Sequence, residues 1–487
     1  VLFDANGDGK TDLLFVNGRS FPDRPGKPGP KGEATPPSLY LNQGGLRFRD
    51  ATSESGLDGG SYCLGGAAAD VDNDGDADLY LTCLGQDRLF RNDAGRFTDV
   101  SRQAGLPQDY GFGAAAVFFD ADRDGDLDLY ATRYVTWSAE TEVFCSGDGK
   151  TKSYCTALLY KGASPRFLRN KGDGTFEERT REAGLWHPEA KSLGAVALDI
   201  EGDGWPDLAV ACDTFPNLLY RNRGDGTFEE VAVTAGIAYS LTGQVRGGMG
   251  IDAADYDRAG RPSLVITNFL REMVGLYQNK GDLFFLDVAP RQDVGRSTLL
   301  TVGWGSFFFD YDLDGWLDLL IANGPLDPAA DRAQRQMLFR NLGNGTLADV
   351  TGEAGGDLAA GMMGRGAAFA DLDDDGDLDV VVAANGGPAK VFENRGGGHG
   401  NWLRLSLRGT KSNRDGLGAQ VTVTAGGATQ TWLVRAGGSY LSQSQVSPTF
   451  GLGAAKAAET VVIRWPSGAT QTLTAVAAGQ RLAVTEP

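Results

Sequence analysis

The stretch Asp120-Ala-Asp122-Arg-Asp124-Gly125-Asp126-Leu-Asp128 sets carboxylates at positions 1, 3, 5 and 9 of a nine-residue loop, with glycine at 6. A strand-like run, Leu129-Tyr-Ala-Thr132, follows at once. Alternate side chains on a tightly curled backbone converge, and two carboxylates at ~4 Å repel by about 1 kcal/mol in water and about 4 near a protein surface. A cation has to sit among them. An all-oxygen set of flexible geometry suits Ca²⁺ before Mg²⁺, and the glycine permits the sharp reversal.

The loop recurs. Copies start at Asp4, Asp70, Asp120, Asp199, Asp255, Asp310 and Asp371, at intervals of 50 to 79 residues. The expected ligand sets are Asp4, Asn6, Asp8 and Asp12; Asp70, Asp72, Asp74 and Asp78; Asp120, Asp122, Asp124 and Asp128; Asp199, Glu201, Asp203 and Asp207; Asp310, Asp312, Asp314 and Asp318; Asp371, Asp373, Asp375 and Asp379. Position 7 is Lys10, Asp76, Asp126, Trp205, Trp316 or Asp377, a freedom that makes sense if this residue binds through its backbone carbonyl. The fifth copy keeps Asp255 and Asp257 but has Ala259 and Ser263 at positions 5 and 9, so it should be weak or empty. About six Ca²⁺ are expected, in a structural rather than catalytic role, each pinning a hairpin.

A second marker, a short apolar run ending in Asn, follows each loop at Asn42, Asn92, Asn170, Asn222, Asn279, Asn341 and Asn394. Each unit then reads as four short strands: a Gly/Ala-rich one, one after the acidic loop, one ending at Asn, and one starting near Thr-Phe. Repeated seven times, this predicts an all-β chain with a seven-bladed β-propeller over residues 1–398. Insertions at Gly18–Ser38, Tyr134–Ala163 and Gly324–Gln336 lie between second and third strands, on the rim opposite the acidic loops. Elaborated loops on a rigid scaffold are where binding usually resides. From about Gly398 the acidic loops stop and alternating strands begin, predicting a small β-sandwich-like domain over 399–487.

The net charge of −19 argues against nucleic acid. It reads instead as the cost of the metal loops, since six divalent ions would cancel twelve of those charges. No apolar run reaches a membrane span. The chain opens on Val1-Leu2-Phe3, three residues before an acidic loop, so a natural N-terminus missing or processed is expected. Cys145 and Cys155 bracket a Gly-rich turn and Cys63 and Cys83 flank one hairpin, so two disulfides with Cys212 left over are expected against a reading of five buried thiols. Disulfides and millimolar Ca²⁺ both point outside the cytoplasm.

These repeats resemble FG-GAP/VCBS calcium-loop propeller repeats. Gln244-Val-Arg-Gly-Gly-Met-Gly250, Gly303-Trp-Gly-Ser306, Asn413-Arg-Asp-Gly-Leu-Gly-Ala419 and Arg464-Trp-Pro-Ser-Gly468 are similar to the cartilage acidic protein family and its bacterial relatives. The resemblance implies a propeller followed by an ASPIC/UnbV domain in a secreted or surface Ca²⁺-binding protein. The chain departs from that pattern in its fifth loop and in lacking the strand that normally precedes the first loop, which puts ring closure in question.

Two histidines, His187 and His399, leave almost no material for a zinc site or a Ser-His-Asp triad, and no carboxylates outside the loops form a convincing catalytic pair. The expected function is therefore a non-enzymatic, extracytoplasmic module that binds protein or joins a surface assembly. The alternative is a lectin-like propeller binding glycans through Tyr110, Tyr134, Trp137, Trp186 and Trp304, half or more of which could instead pack between blades. A polysaccharide-acting enzyme is the least favoured class.

Overall fold

A computed structural model describes residues 1–17, 35–138, 140–146, 149–150, 153–326, 333–396 and 400–487. His399, the 398/399 boundary and much of the insertions at 18–38 and 324–336 lie outside the described residues.

The chain is an all-β propeller followed by two further sheets. Up-and-down antiparallel units succeed one another in chain order, the first being Leu2–Phe3, Asp12–Phe15, Ser38–Asn42 and Phe48–Asp50. Units begin again at Tyr62, Gly111, Ser192, Ile251, Gly303 and Gly364, and among the described residues the unit from Gly364 has three strands rather than four. A short pairing of Leu84 with Phe112 and Gly85 with Gly111 joins the second and third units. The innermost strands are small because they crowd the axis: a Cβ on Gly65 would lie 2.7 Å from the Ala114 carbonyl.

Aromatic and aliphatic residues fill the wedges between units. Phe119, Tyr130 and Phe167 of the third, for instance, meet Leu208, Tyr220 and Phe228 of the fourth. The strand expected to be missing before the first loop is present as a two-residue stub, Leu2–Phe3, paired with Asp12–Leu13. The ring also closes. Leu2 and Leu13 share a buried cluster with Ala368, Ala370, Leu372 and Val381 of the seventh unit.

Residues 401–485 form a three-stranded sheet (Thr449–Gly453, Asn401–Arg408, Gln480–Thr485) and a four-stranded one (Ala428–Leu433, Gln420–Ala425, Ala457–Arg464, Thr470–Ala477). Their shared core of Leu403, Leu405, Val421, Val423, Val461 and Ile463 runs on without a break into Ala116 and Phe118 of the propeller. The link is residues 435–447, which enter the central channel. Ser439 exchanges two backbone hydrogen bonds with Ile251 (2.7 and 3.1 Å), and Gln443 brackets Ala68 with its side-chain amide (3.0 and 2.9 Å). Leu2 N–H donates to the Gln443 carbonyl, and the Ser439 hydroxyl donates to the Ala367 carbonyl. Disulfides join Cys63 to Cys83 and Cys145 to Cys155, and Cys212 is a buried free thiol.

Candidate metal centres and the face they build

Each acidic loop is folded by its own first and last carboxylates. Asp120 accepts the N–H groups of Asp124 and Gly125 (both 3.1 Å), which curls positions 5 and 6 back over position 1. Glycine is required at 6, where φ is +95° for Gly125, +110° for Gly75 and +104° for Gly376. The position-9 carboxylate is a splice. Asp128 accepts Ala121 N–H with one oxygen and Asn170 N–H with the other, tying loop to third strand. The same pair of bonds recurs at Asp12, Asp78, Asp207, Asp318 and Asp379. In the fifth copy the Ser263 hydroxyl accepts Asn279 N–H at 3.1 Å, so the bond to the third strand is kept without the charge.

Four loops bring three carboxylates within 4.8 Å of one another: Asp70, Asp72 and Asp78; Asp120, Asp122 and Asp124; Asp310, Asp312 and Asp318; Asp371, Asp373 and Asp379. The first and fourth loops do not reach that convergence among the described residues. There Asn6 turns its amide toward Asp8, and Glu201 pairs with Arg221 at 2.5 Å. The position-7 side chains are occupied elsewhere. Lys10 reaches Asp8, Asp76 accepts Ala94 N–H, Asp126 accepts from Asn73 and Asp377 accepts Gly396 N–H. Trp205 and Trp316 lie under Arg123 and Arg258. That leaves the backbone carbonyl of position 7 for an ion, with Asp377 Oδ1 in the seventh loop also free of a hydrogen-bond partner. The fifth loop retains Asp255, which accepts Gly260 N–H, while Asp257 takes a bond from Gln278.

The electrostatics call for a cation. Burial first, then neighbouring carboxylates, raise Asp70 and Asp120 to about 7, and Asp310, 1% exposed, rises well above the ordinary carboxylate range. Buried oxygens Asp122 Oδ1, Asp310 Oδ1, Asp312 Oδ1 and Asp377 Oδ1 have no hydrogen-bond partner, and neither do Asp255 Oδ1 and Asp257 Oδ1 of the fifth loop. Hard, anionic oxygens left open in a tight loop fit a divalent ion such as Ca²⁺. Arginines one residue before the marker Asn supply part of the compensation, Arg169 to Asp122 and Arg340 to Asp312 (2.7 Å).

The marker Asn carries a role its sequence position did not reveal. Asn222 Nδ2 donates to the Pro206 carbonyl in its own unit and to the Ala121 carbonyl in the unit before. Asn92, Asn170, Asn279, Asn341 and Asn394 reach back in the same way to Ala5, Val71, Ile200, Tyr256 and Tyr311. Asn42 completes the circuit on the Leu372 carbonyl at 2.8 Å.

The acidic-loop face is covered. Its loops are the seat of the C-terminal sheets. Arg414 N–H donates to Asn73, and Asp415 accepts Asp70 N–H at 2.9 Å. Arg123 donates to the Pro466 carbonyl, Arg481 pairs with Asp374 at 3.0 Å, and Arg404 pairs with Asp371 at 2.5 Å. The Asn413–Ala419 and Arg464–Gly468 motifs are thus the segments resting on the second and third loops. Loop glycines allow the approach: a Cβ on Gly376 would overlap the Trp402 ring and one on Gly125 the Lys411 carbonyl.

On the opposite rim, Tyr110, Trp137 and Trp186 line one cleft. Trp304 is buried against Tyr440, and the partly buried Tyr134 packs on the same cluster and donates its hydroxyl to Asp213, so those two aromatics belong to the packing. His187 packs edge-on against Phe215.

A propeller with these loops and this capping domain defines a class, and sequence comparison agrees. FG-GAP-like repeats match residues 4–81, 70–131, 199–266 and 310–382, and an ASPIC and UnbV domain matches 409–487. The chain belongs to the family of FG-GAP-repeat proteins with a C-terminal ASPIC/UnbV domain. Among named relatives, it is 23% identical over 429 residues to Cartilage acidic protein 1 of Xenopus tropicalis, covering 83% of this chain and 61% of that protein. The Homo sapiens protein of that name is also 23% identical, over 83% and 60%. The chain therefore spans about three fifths of the length of these relatives. Among solved structures, an Agrocybe aegerita lectin recognising non-reducing terminal N-acetylglucosamine superposes loosely, with a TM-score of 0.42 and 19% identity over 72% of this chain and 78% of that one.

Proposed function

We propose that the protein is a non-enzymatic, extracytoplasmic binding module: a propeller stiffened by Ca²⁺ on one face that holds a protein partner, or its place in a surface assembly, with the other. The observation that carries this reading is the covering of the metal-loop face by residues 401–487, with Arg404 on Asp371 and Asp415 on Asp70 N–H. With that face covered, we assign partner binding to the rim that carries the insertions. The ions act structurally, because the first and last carboxylates of the acidic loops also tie the loop backbones, and the loops lie against the capping domain. Two disulfides support a location outside the cytoplasm. No helix among the described residues is long and apolar enough to cross a membrane.

Crosslinking and affinity isolation of the native protein from its source, with Ca²⁺ and with chelator, tests this. A partner crosslinked to the inserted loops in Ca²⁺ and lost on chelation is the expected result. Turnover of a polysaccharide, or a partner crosslinked only to the C-terminal sheets, would overturn it. A glycan-binding reading is favoured by one specific observation, the aromatic cleft on that rim.

A further inference from the structure

We propose that the cleft at the edge of the third unit binds a short, uncharged oligosaccharide. This rests on the reading of the inserted-loop rim as the binding face and names a ligand class for one place on it.

The cleft has a volume of about 560 Å³, within the range of small-ligand sites. It lies where the third unit's insertion, the entry to its first strand and the crossing to the fourth unit meet. The insertion is held at its base by the pairing of Val135 with Gly162, and farther out by the Cys145–Cys155 disulfide. Two of its aromatic walls stand well into solvent, Tyr110 at 54% exposure and Trp186 at 40%. Large aromatic faces are costly to leave in water, and Trp186 is fixed upright by the Arg181 guanidinium 3.5 Å over its ring.

The floor is charged and rigid. Arg133, 5% exposed, sets Nη2 3.4 Å from Asp87 and Nη1 4.0 Å from Asp109, and Arg166 pairs with Asp109 as well. Asp87 is held in turn by the Tyr80 hydroxyl and Cys83 N–H. Gly111 makes room for Arg133, since a Cβ there would sit 1.5 Å from Nη1.

Aromatic walls over a floor that offers donors and acceptors together match a ligand with apolar C–H faces and a rim of hydroxyls. A polyanion would meet Asp109 and Glu178 as well as the arginines, on a chain of net charge −19. An apolar ligand would strand the Arg133 and Asp109 charges.

The test titrates the full chain, in Ca²⁺, with cellohexaose, mannohexaose, xylohexaose and chitohexaose, with heparin and polygalacturonate as acidic comparators, reading calorimetry and tryptophan fluorescence. The expected result is binding of at least one neutral hexasaccharide, weakened tenfold or more in both Trp186→Ala and Tyr110→Ala, each shown by circular dichroism to be folded at the titration temperature. Binding of the acidic polymers alone, no binding of any neutral sugar, or neutral-sugar binding unchanged in both variants would overturn the proposal. If the rim serves protein partners only, the sugar titrations stay flat while loop crosslinking persists, which separates failure of this proposal from failure of the wider reading.

Discussion

Arg404 of the C-terminal sheet and Asp371 of the seventh acidic loop form an ion pair at 2.5 Å in which both side chains are at most 1% exposed. Asp371 is also the first carboxylate of its loop and accepts Gly376 N–H. One group thus serves the loop's fold, its metal-binding set and the grip on the capping domain. Removing one member of a buried pair costs about 3–5 kcal/mol. Arg404→Leu should lower the melting temperature and expose residues 435–447 to protease. Chelation of the wild type should expose the same segment, and an unchanged digestion pattern in both cases would refute the coupling.

Chelation should also lower the melting temperature directly. A site that binds only the folded chain adds about 2.7 kcal/mol when the ion is at a hundred times its Kd. Asp310→Asn should remove part of that Ca²⁺-dependent increment. Asp255→Asn, in the loop already lacking carboxylates at positions 5 and 9, should leave it nearly intact. Equal effects in the two variants, followed by calorimetry across a Ca²⁺ series, would show that the fifth loop holds an ion as well as its siblings do.

The asparagine circuit makes a third prediction. Asn222→Ala strands the buried Pro206 and Ala121 carbonyls and should cost roughly 1–3 kcal/mol. Asn222→Asp should cost more, since it also sets a carboxylate against those carbonyls. Denaturant unfolding of the two variants, with and without Ca²⁺, gives both numbers.

Glu486 supplies the pH dependence. Burial raises its carboxyl, but bonds from the Ser467 hydroxyl and the Ser412, Thr410 and Lys411 N–H groups outweigh that and bring it down to about 2. A group lowered in the folded state adds stability above its unfolded value of 4.5 and loses it as pH falls toward 2. The gap in melting temperature between wild type and Glu486→Gln should therefore be widest at neutral pH and close between pH 4.5 and 2.

Much of this was readable because it is local. Nine residues contain nearly everything that folds an acidic loop, so seven copies announce themselves in the chain, and the glycine at position 6 follows from its positive φ. Asn222 was visible only as punctuation, because its partner at Ala121 lies a full unit away in the chain. Covering of the loop face was hidden for a similar reason. Gly376 serves both its turn and the approach of Trp402, and in sequence the first use masks the second. The run Ser442-Gln-Ser-Gln445 carries no pattern of its own, since its hydrogen bonds go to strands of other units: Ala68, Phe369 and Asp371. Of the aromatics singled out for sugar stacking, Trp304 and Tyr134 were indistinguishable from the rest until the fold placed them inside.

The entry of residues 435–447 into the channel bears on the order of events during synthesis. Leu2 waits for Gln443, and Ile251 for Ser439, so inner strands made early find these partners only after more than four hundred residues have left the ribosome. Units can form one by one behind the advancing chain, each stapled to its predecessor through its asparagine. Until that late-made segment arrives, the inner-strand groups at Leu2 and Ile251 lack the partners they have in the finished fold. A translation arrest before Ala436 would leave a ring with its inner polar edges bare, a species for chaperones to hold rather than a smaller working protein.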